Sequence, residues 1–381
     1  MKKGFTKYLS CIILVVICIA LATVFCVHAS DAFRGADDKG DDTQSDTQSE
    51  STENETPKNV ISIGGTVLSE YLYDSSLRCE WISQKNEGEK TVYLAVELYL
   101  DTPNTITNAR GGRLVVNGEE TELFVGTVIG KTNQIATYTA TYEAENDLTI
   151  DFSAELDIDI KSGEATVPKT ITLSGSALVS EEYAKMEEAH KLEIEHISQF
   201  PELPSGDEVT ALAMVLKNLG YKVDKCELCD LYLDKGPVGY TDFNKANVGN
   251  PRDTYNSYGC LPPVIINAAT KFISANGGSY TAYDYSKRSV NELYYEVSQG
   301  NFPIVWACED FDITPSISRI WIVDGQELYL KSNTACMVLC GYDFENNTVT
   351  LSSPAGGEFQ IAMDLFEHRY LEMGAYAVVI K

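Results

Sequence analysis

Positive charge is scarce in this sequence. The chain has 29 Lys and Arg residues and 56 Asp and Glu residues, which gives a formal net charge of −27 at pH 7. A chain this acidic is repelled by phosphate backbones and by anionic membrane surfaces, so the composition argues against nucleic acid and lipid headgroups as partners. The charge favours solubility outside a cell and does not bear on the fold.

The sequence also lacks the cysteine and histidine spacing of a disulfide framework or a metal centre. Three of its ten cysteines lie in an apolar N-terminal run, and the remaining seven are irregularly spaced. Cys226 and Cys229 form a single Cys-x-x-Cys pair on a predicted helix, with no second pair and no nearby histidine, so neither zinc nor a disulfide is predicted there. We expect no metal and no cofactor, and most thiols should be small buried apolar groups.

The first 58 residues read as an export segment and a linker. A basic start precedes nineteen mostly apolar residues, Leu9–Val27, which is long enough for a membrane-spanning helix. The sequence before Ser30 also resembles a cleavage site, so residues 1–29 are predicted as either a signal peptide or a membrane anchor. Both alternatives place the rest of the chain outside the cell, with membrane contact only through this segment. Residues 30–58 are acidic and polar, which predicts a disordered linker.

Residues 59–179 carry the pattern of an all-β domain. The run Thr91–Leu100 alternates apolar and polar residues, and Asn117-Gly118 separates two strand-like runs, which predicts a tight hairpin. Seven or so short strands over about a hundred residues predict an immunoglobulin-like sandwich. Because this region contains no catalytic or metal-ligating cluster, we interpret it as a spacer or adhesion-type module. The Glu- and Lys-rich residues 180–195 are predicted to form a helical connector.

Residues 196–381 predict an α+β domain in which helices come first and strands later. Apolar residues recur at helical spacing over 209–219, 263–274 and 290–299, whereas 302–306, 335–342, 348–351 and 375–380 are strand-like. The first helix follows a Pro- and Gly-containing turn, Gln199–Gly206. Such a junction can hold a reactive thiol, because a helix N-terminus lowers the pKa of cysteine.

The motif Gln199-Phe-Pro-Glu-Leu-Pro-Ser-Gly-Asp-Glu-Val-Thr-Ala-Leu212 closely resembles the secreted bacterial C39-like peptidases, which are papain-like cysteine peptidases. Four further motifs match the family in order; they begin at Gly259, Gly300, Gly341 and Glu372. The resemblance covers nearly all of residues 196–381. It implies a papain-like fold with a cysteine, a histidine and an orienting acid or amide as catalytic groups.

The residues at those three positions do not fit that chemistry. Asp207 stands where the family has its cysteine, Ala335 stands at the histidine position, and Ser353 precedes Pro354 where the family has an Asp-Pro pair. Gln199 resembles the oxyanion-hole glutamine of the family, and the alternative is a turn residue without that role. The resemblance therefore implies a pseudoenzyme with a degenerate triad.

Two other interpretations of Asp207 follow from its position. Its carboxylate is expected to cap the helix that follows. An acidic-protease mechanism would need a second carboxyl group that shares a proton with Asp207. Glu208 is adjacent but should project about 100° away on a helix.

Two functions from different classes remain after this reading. The first is a non-catalytic domain that binds an extended peptide or a cell-wall component in a cleft lined by Gln199, Gly206, Asp207 and Trp306. The alternative is a cysteine-type peptidase or other hydrolase with relocated residues. Its candidates are Cys260, whose place before a predicted helix could lower the thiol pKa, with His196 and His368.

Overall fold

The computed structural model describes residues 60–69, 75–86, 90–123, 128–143, 148–162, 165–180 and 186–381. The predicted signal peptide or anchor (1–29) and linker (30–58) lie outside these residues. Among the residues described, no helix combines the length and the apolar character needed to cross a lipid bilayer.

Alternating apolar residues build a seven-stranded antiparallel network in the N-terminal region. Its strands are Val60–Leu68 (β1), Ser76–Asn86 (β2), Thr91–Val116 (β3), Glu119–Leu123 (β4), Val128–Glu143 (β5), Leu148–Ser162 (β6) and Ala165–Val179 (β7). The predicted Asn117-Gly118 turn is confirmed: both residues have positive φ, and Val116 pairs with Glu119 across it.

Strand β3 is far longer than the short strands that the sequence predicts. Its first part pairs with β2 and β5, and its second part pairs with β4 and β6. Register shifts interrupt both pairings, and such irregularities let one strand bend and join two layers. Trp81 of β2 and Phe152 of β6 pack against each other with ring centroids 6.2 Å apart, so these two strands, which do not pair with each other, share a core. The more specific immunoglobulin-like assignment stays a prediction.

The helical connector predicted over 180–195 is wrong for the residues described. Residues 186–195 contain no helix, and Ala189–Lys191 form strand β8, which pairs with a strand of the C-terminal sheet. Leu192 and Ile194 alternate with glutamates and pack against the C-terminal core. This two-residue period suits an extended chain, and tertiary pairing overrides the helix propensity of Glu and Lys. The C-terminal domain therefore begins before residue 196.

The C-terminal region is a mixed α and β domain, as predicted. Its helices are Asp207–Asn218 (α1), Lys225–Leu231 (α2), Pro262–Ala275 (α3), Val290–Ser298 (α4) and Met363–Met373 (α5). The main sheet has the order β11-β18-β12-β15-β16-β17, with β8 beside β15. These strands are Ala282–Asp284 (β11), Ile304–Cys308 (β12), Thr334–Asp343 (β15), Thr348–Ser353 (β16), Gly357–Ala362 (β17) and Ala377–Ile380 (β18).

Two small strand pairs lie outside that sheet. Lys235–Gly236 (β9) and Asn247–Val248 (β10) are parallel, and Ile317–Val323 (β13) and Gln326–Lys331 (β14) form a hairpin. Neither strand pair was predicted from the sequence. The hairpin connects β12 to β15.

The two faces of the main sheet support different parts of the molecule. Cys336, Val338 and Cys340 of β15 belong to the core beneath α1, α2 and α3. Met337 and Leu339 belong to the core beneath α4 and α5, which Leu68 of β1 also joins. The N-terminal region therefore docks on the face opposite α1, and residues 57–381 form one compact unit.

Candidate functional site

A tight turn sets the start of α1. The Leu203 N–H donates to the Gln199 carbonyl (2.9 Å), and the Gly206 N–H donates to the Leu203 carbonyl (3.1 Å). Gly206 is buried, and a Cβ atom on it would lie 2.9 Å from Leu203 Cβ and 3.0 Å from Pro251 Cβ. Packing, rather than backbone strain, therefore favours glycine immediately before the helix.

Asp207 is the first residue of α1 and does not cap it, so the predicted N-cap role is wrong. The capping position belongs to Gly206. The half-buried carboxylate of Asp207 instead reaches across to β15, where its Oδ2 accepts the backbone N–H of Cys336 at 2.5 Å. Burial raises the pKa of Asp207 more strongly than this hydrogen bond lowers it.

Glu208 does not project away from Asp207, contrary to the helical-wheel expectation. Burial and the nearby Asp207 charge hold the pKa of Glu208 well above its usual range, so the two carboxyl groups interact. The wheel fixes only the Cβ directions, and the long Glu208 side chain brings its carboxyl group back. Both carboxyl pKa values are raised, so burial favours the protonated form of each group and the Asp207 charge adds to this effect at Glu208.

The Glu208 side chain is enclosed on its far side by the segment before α3. Its Oε1 accepts the backbone N–H of Cys260 at 3.0 Å, while Oε2 is buried without a hydrogen-bond partner. Gly259 has φ +77°, and a Cβ atom there would lie 2.0 Å from Glu208 Oε1. Gly259 is therefore required both for its conformation and for the space that it leaves.

Cys260 is not an activated thiol, so the predicted lowered pKa is wrong. Cys260 and Cys336 are both buried, and burial together with the Asp207 and Glu208 carboxylates raises both thiol pKa values well above the usual range. Trp306 donates from its indole Nε1 to the Cys260 carbonyl at 2.8 Å. With only 1% of its surface exposed, Trp306 is a core residue and does not line an open cleft.

Backbone contacts bring the other predicted site residues close to this turn. Ala335 directly precedes Cys336, the partner of Asp207, and pairs with Ala307 of β12. Ser353 ends β16, and its Oγ accepts the Ala355 N–H at 3.2 Å.

Gln199 joins the turn to the end of β16. Its backbone N–H donates to the Pro354 carbonyl at 2.9 Å. The side-chain amide donates to the Pro204 carbonyl at 2.9 Å, and the buried Oε1 has no partner. One of its two amide protons is therefore committed to the turn.

The histidines considered for relocated catalysis lie away from the thiols. His196 is exposed, and the exposed His368 pairs with Glu372 through Nε2 at 3.2 Å. Within the described parts of the chain, no histidine ring hydrogen-bonds a cysteine and no disulfide links the seven cysteines. The same residues include no group of three or more His, Cys, Asp or Glu side chains arranged for a metal ion.

The two carboxyl groups lack a cationic partner in the part of the chain that the structure describes. Among the described residues, neither Asp207 nor Glu208 forms an ion pair with Lys, Arg or His, and the charge of Glu309 raises the pKa of Asp207 further. The arrangement can accept hydrogen bonds and attract a positive group, but it offers no thiolate and no imidazole.

A family model agrees with the resemblance seen in the sequence. The model of the Peptidase_C39 like family matches residues 191–378, a range that includes the turn, α1 and β15. The "Uncharacterized protein YvpB" of Bacillus subtilis (strain 168) is 27% identical over 186 residues, which are 48% of this chain and 71% of that protein. A crystal structure described as a putative C39-like peptidase from Bacillus anthracis is 26% identical and has a TM-score of 0.45. That match covers 51% of this chain and 98% of the other.

Proposed function

Because residues 191–378 form a C39-like peptidase domain, we propose that this domain no longer cleaves peptides and instead binds an extended peptide or a cell-wall component. The binding would use the turn between Gln199 and Asp207, which the family uses for catalysis.

This proposal rests on the presence of the Asp207 carboxylate at the start of α1. Peptide cleavage by this family needs a thiolate and an imidazole that exchanges its proton. Asp207 Oδ2 is hydrogen-bonded to the Cys336 N–H, and the preceding residue, Ala335, has no titratable group. A carboxylate held in this way accepts hydrogen bonds and has no base to activate it, which supports binding rather than acyl transfer.

The charge of the site supports a class of ligand. Asp207 is half-buried, Glu309 is near it, and no described cation balances them. Peptide N–H groups and basic side chains are the donors that such a site attracts, whereas acidic segments are repelled. We therefore expect neutral or basic peptides, including the amine-bearing peptides of a cell wall, to bind better than acidic ones.

A location outside the cell is part of the proposal. Residues 1–29 combine a basic start with an apolar run, which is the pattern of a signal peptide or an anchor. If the chain is anchored, protease added to intact cells should remove the folded region from the cells. If it is released, the folded region should be found in the medium. Complete protection from the protease, with no protein in the medium, would contradict this location.

The binding test uses the protein after Ser30, immobilised and exposed to a peptide library of defined charge and to soluble peptidoglycan fragments. Retention of neutral or basic ligands should fall at least about tenfold in Asp207→Ala, because the accepting carboxylate is lost. Tyr93→Ala, on the exposed surface of β3, is the matched control and should bind as the parent does. Equal retention by the parent and both variants would contradict binding at this turn.

A second candidate is hydrolysis by the two carboxyl groups. Their electrostatic interaction favours it, because two carboxyl groups whose environments shift their pKa values can act as acid and base. Against it, Glu208 is only 5% exposed and is enclosed by Gly259 and Cys260. Cleavage at acidic pH that Asp207→Asn abolishes would favour this candidate.

A further inference from the structure

The hairpin β13–β14 begins and ends beside the candidate site. It leaves the main sheet after Cys308 and returns at Thr334, and these two residues pair with each other next to the Ala307–Ala335 pair. Its strands, residues 317–331, pair only with each other among the described strands. We call residues 317–331 the strap.

The base of the strap is firmly held. The Asn333 side chain donates to the Asp310 carbonyl at 2.7 Å and to the Ile313 carbonyl at 2.8 Å, and its Oδ1 accepts the Asp310 N–H at 2.9 Å. Glu309, which acts electrostatically on Asp207, lies at this base and donates its N–H to the Asn333 carbonyl. The base is therefore fixed within electrostatic reach of Asp207.

The inner face of the strap packs on the opposite wall of the site. Trp321 stacks on Phe243 with centroids 5.5 Å apart and an interplanar angle of 13°, and it meets the edge of Tyr258 at 5.1 Å. The guanidinium of Arg319 lies 5.0 Å from the Tyr258 ring centroid. These contacts form an aromatic latch.

The latch lies on the same segment that encloses Glu208. The Leu261 N–H donates to the Phe243 carbonyl at 2.9 Å, and Tyr258 is followed directly by Gly259 and Cys260. Asp207 and Glu208 join β15 to this segment through the N–H groups of Cys336 and Cys260. The strap also joins β15 to the segment before α3, so it runs alongside Asp207 and Glu208.

The latch is separate from the main packing of the protein. Residues 317–331 and Phe243 belong to none of the three hydrophobic cores. On the outer face of the strap, Ile320 and Ile322 are 54% and 71% exposed. Besides the aromatic latch, Asp324 pairs with Lys245 at 3.3 Å, and Lys331 Nζ donates to the Glu372 carbonyl at 2.7 Å. A segment held by a few contacts outside the hydrophobic cores can open without unfolding the domain.

We propose that the strap is a gate over the Asp207 site and that Trp321 holds it closed until a ligand enters. This inference rests on the proposed binding function, because it describes how access to that same turn is regulated. Opening would release Trp321 from Phe243 and Tyr258 while the Asn333 base stays in place.

The test places a reporter thiol at the site. Asp207→Cys in the full protein after Ser30 is treated with a maleimide reagent, and the rate at residue 207 is followed by mass spectrometry. Adding Trp321→Ala should accelerate this labelling at least about tenfold, because the stacking that closes the gate is lost. Ile322 directly follows Trp321 but lies on the outer face of the strap, so Ile322→Ala should leave the labelling rate unchanged. Trp321→Phe should keep a labelling rate near that of the parent.

A second readout separates a gate from simple loss of folding. The buried thiols of Cys336 and Cys340 should stay unlabelled in Trp321→Ala. Equal rates at residue 207 with and without Trp321→Ala would overturn the gate, and so would labelling of the buried thiols at the same accelerated rate. Neither result depends on ligand binding, so failure of the gate and failure of the proposed function are distinguishable.

Discussion

Among single residues, the carboxylate of Asp207 has the widest influence on the candidate site. Asp207 accepts the Cys336 N–H. Burial, and after it the charge of Asp207, raises the pKa of Glu208. Burial and the charges of both carboxylates raise the thiol pKa values of Cys260 and Cys336. A cysteine peptidase requires the opposite, a thiolate stabilised by positive charge. The electrostatics around Asp207 therefore act against the family chemistry.

The raised carboxyl pKa values predict a stability that depends on pH. A carboxyl group whose pKa is higher in the folded state binds more protons in the folded than in the unfolded protein. Its contribution to the free energy of unfolding is therefore fully present below the unfolded pKa of about 4.3 and is lost as the pH rises through the folded pKa. Glu208→Gln keeps an acceptor for the Cys260 N–H and removes this titration. We expect its unfolding free energy to fall less between pH 4 and about pH 8 than that of the parent.

Urea unfolding at a series of pH values measures this difference. Glu193→Gln is the control, because Glu193 is 87% exposed and should leave the pH dependence unchanged. An identical slope for Glu208→Gln and the parent would show that Glu208 does not retain a proton in the folded state.

The same residues show how far the sequence predicts the site. The motif around Gln199–Asp207 and the Ala335–Asp343 strand locate the two elements that meet, because both motifs are local. The Asp207–Cys336 and Glu208–Cys260 hydrogen bonds join residues 129 and 52 positions apart, and local pattern does not encode them. Trp306 was assigned to the cleft for the same reason, since its burial depends on packing between distant elements.

Among the helices, α2 has the N-terminal capping interaction that was predicted for α1. The Asp224 carboxylate accepts the N–H groups of Cys226 and Glu227, both at 2.9 Å. Asp224→Ala should therefore cost about 0.5–2 kcal/mol of unfolding free energy. Asp224→Asn retains an accepting oxygen and should recover most of that loss. Thermal or urea denaturation measures both variants, and a neutral Asp224→Ala would contradict the capping role.

The helices with clear periodicity were predicted well, and the hairpin of the strap was not. Asp324 and Gly325 both have positive φ and form the turn between β13 and β14, so the Asp-Gly pair was a signal that the sequence contained. Strand β8 gave a weaker signal, because Glu and Lys favour helix in isolation and only the pairing with β15 makes the segment extended.

At the scale of the whole molecule, the N-terminal strands and the candidate site lie on opposite faces of the C-terminal sheet. Asn291 of α4 donates its side-chain N–H to the Gly64 carbonyl of β1, and Leu68 joins the core beneath α4 and α5. The described part of the β region therefore contacts the domain on the face opposite the turn at Asp207.

This docking predicts a strong effect of a bulky residue at Gly65. A Cβ atom there would lie 2.9 Å from Ser289 Cβ and 3.1 Å from the Trp81 ring. Gly65→Leu should separate the β region from α4, so calorimetry should show two unfolding transitions or a lower midpoint. Gly356→Ala is the control, because nothing lies within 4 Å of its added Cβ. A single unchanged transition in Gly65→Leu would contradict close docking.

A peptide-cleavage assay distinguishes a binding domain from a working peptidase. The protein after Ser30 is incubated with a peptide library from about pH 4 to pH 8, which spans the usual titration range of carboxyl groups and histidine, and the products are identified by mass spectrometry. We expect no new peptide ends at any pH, together with retention of neutral or basic peptides that Asp207→Ala weakens. Cleavage products that disappear in Cys260→Ser or in Asp207→Asn would contradict it and would identify a working peptidase.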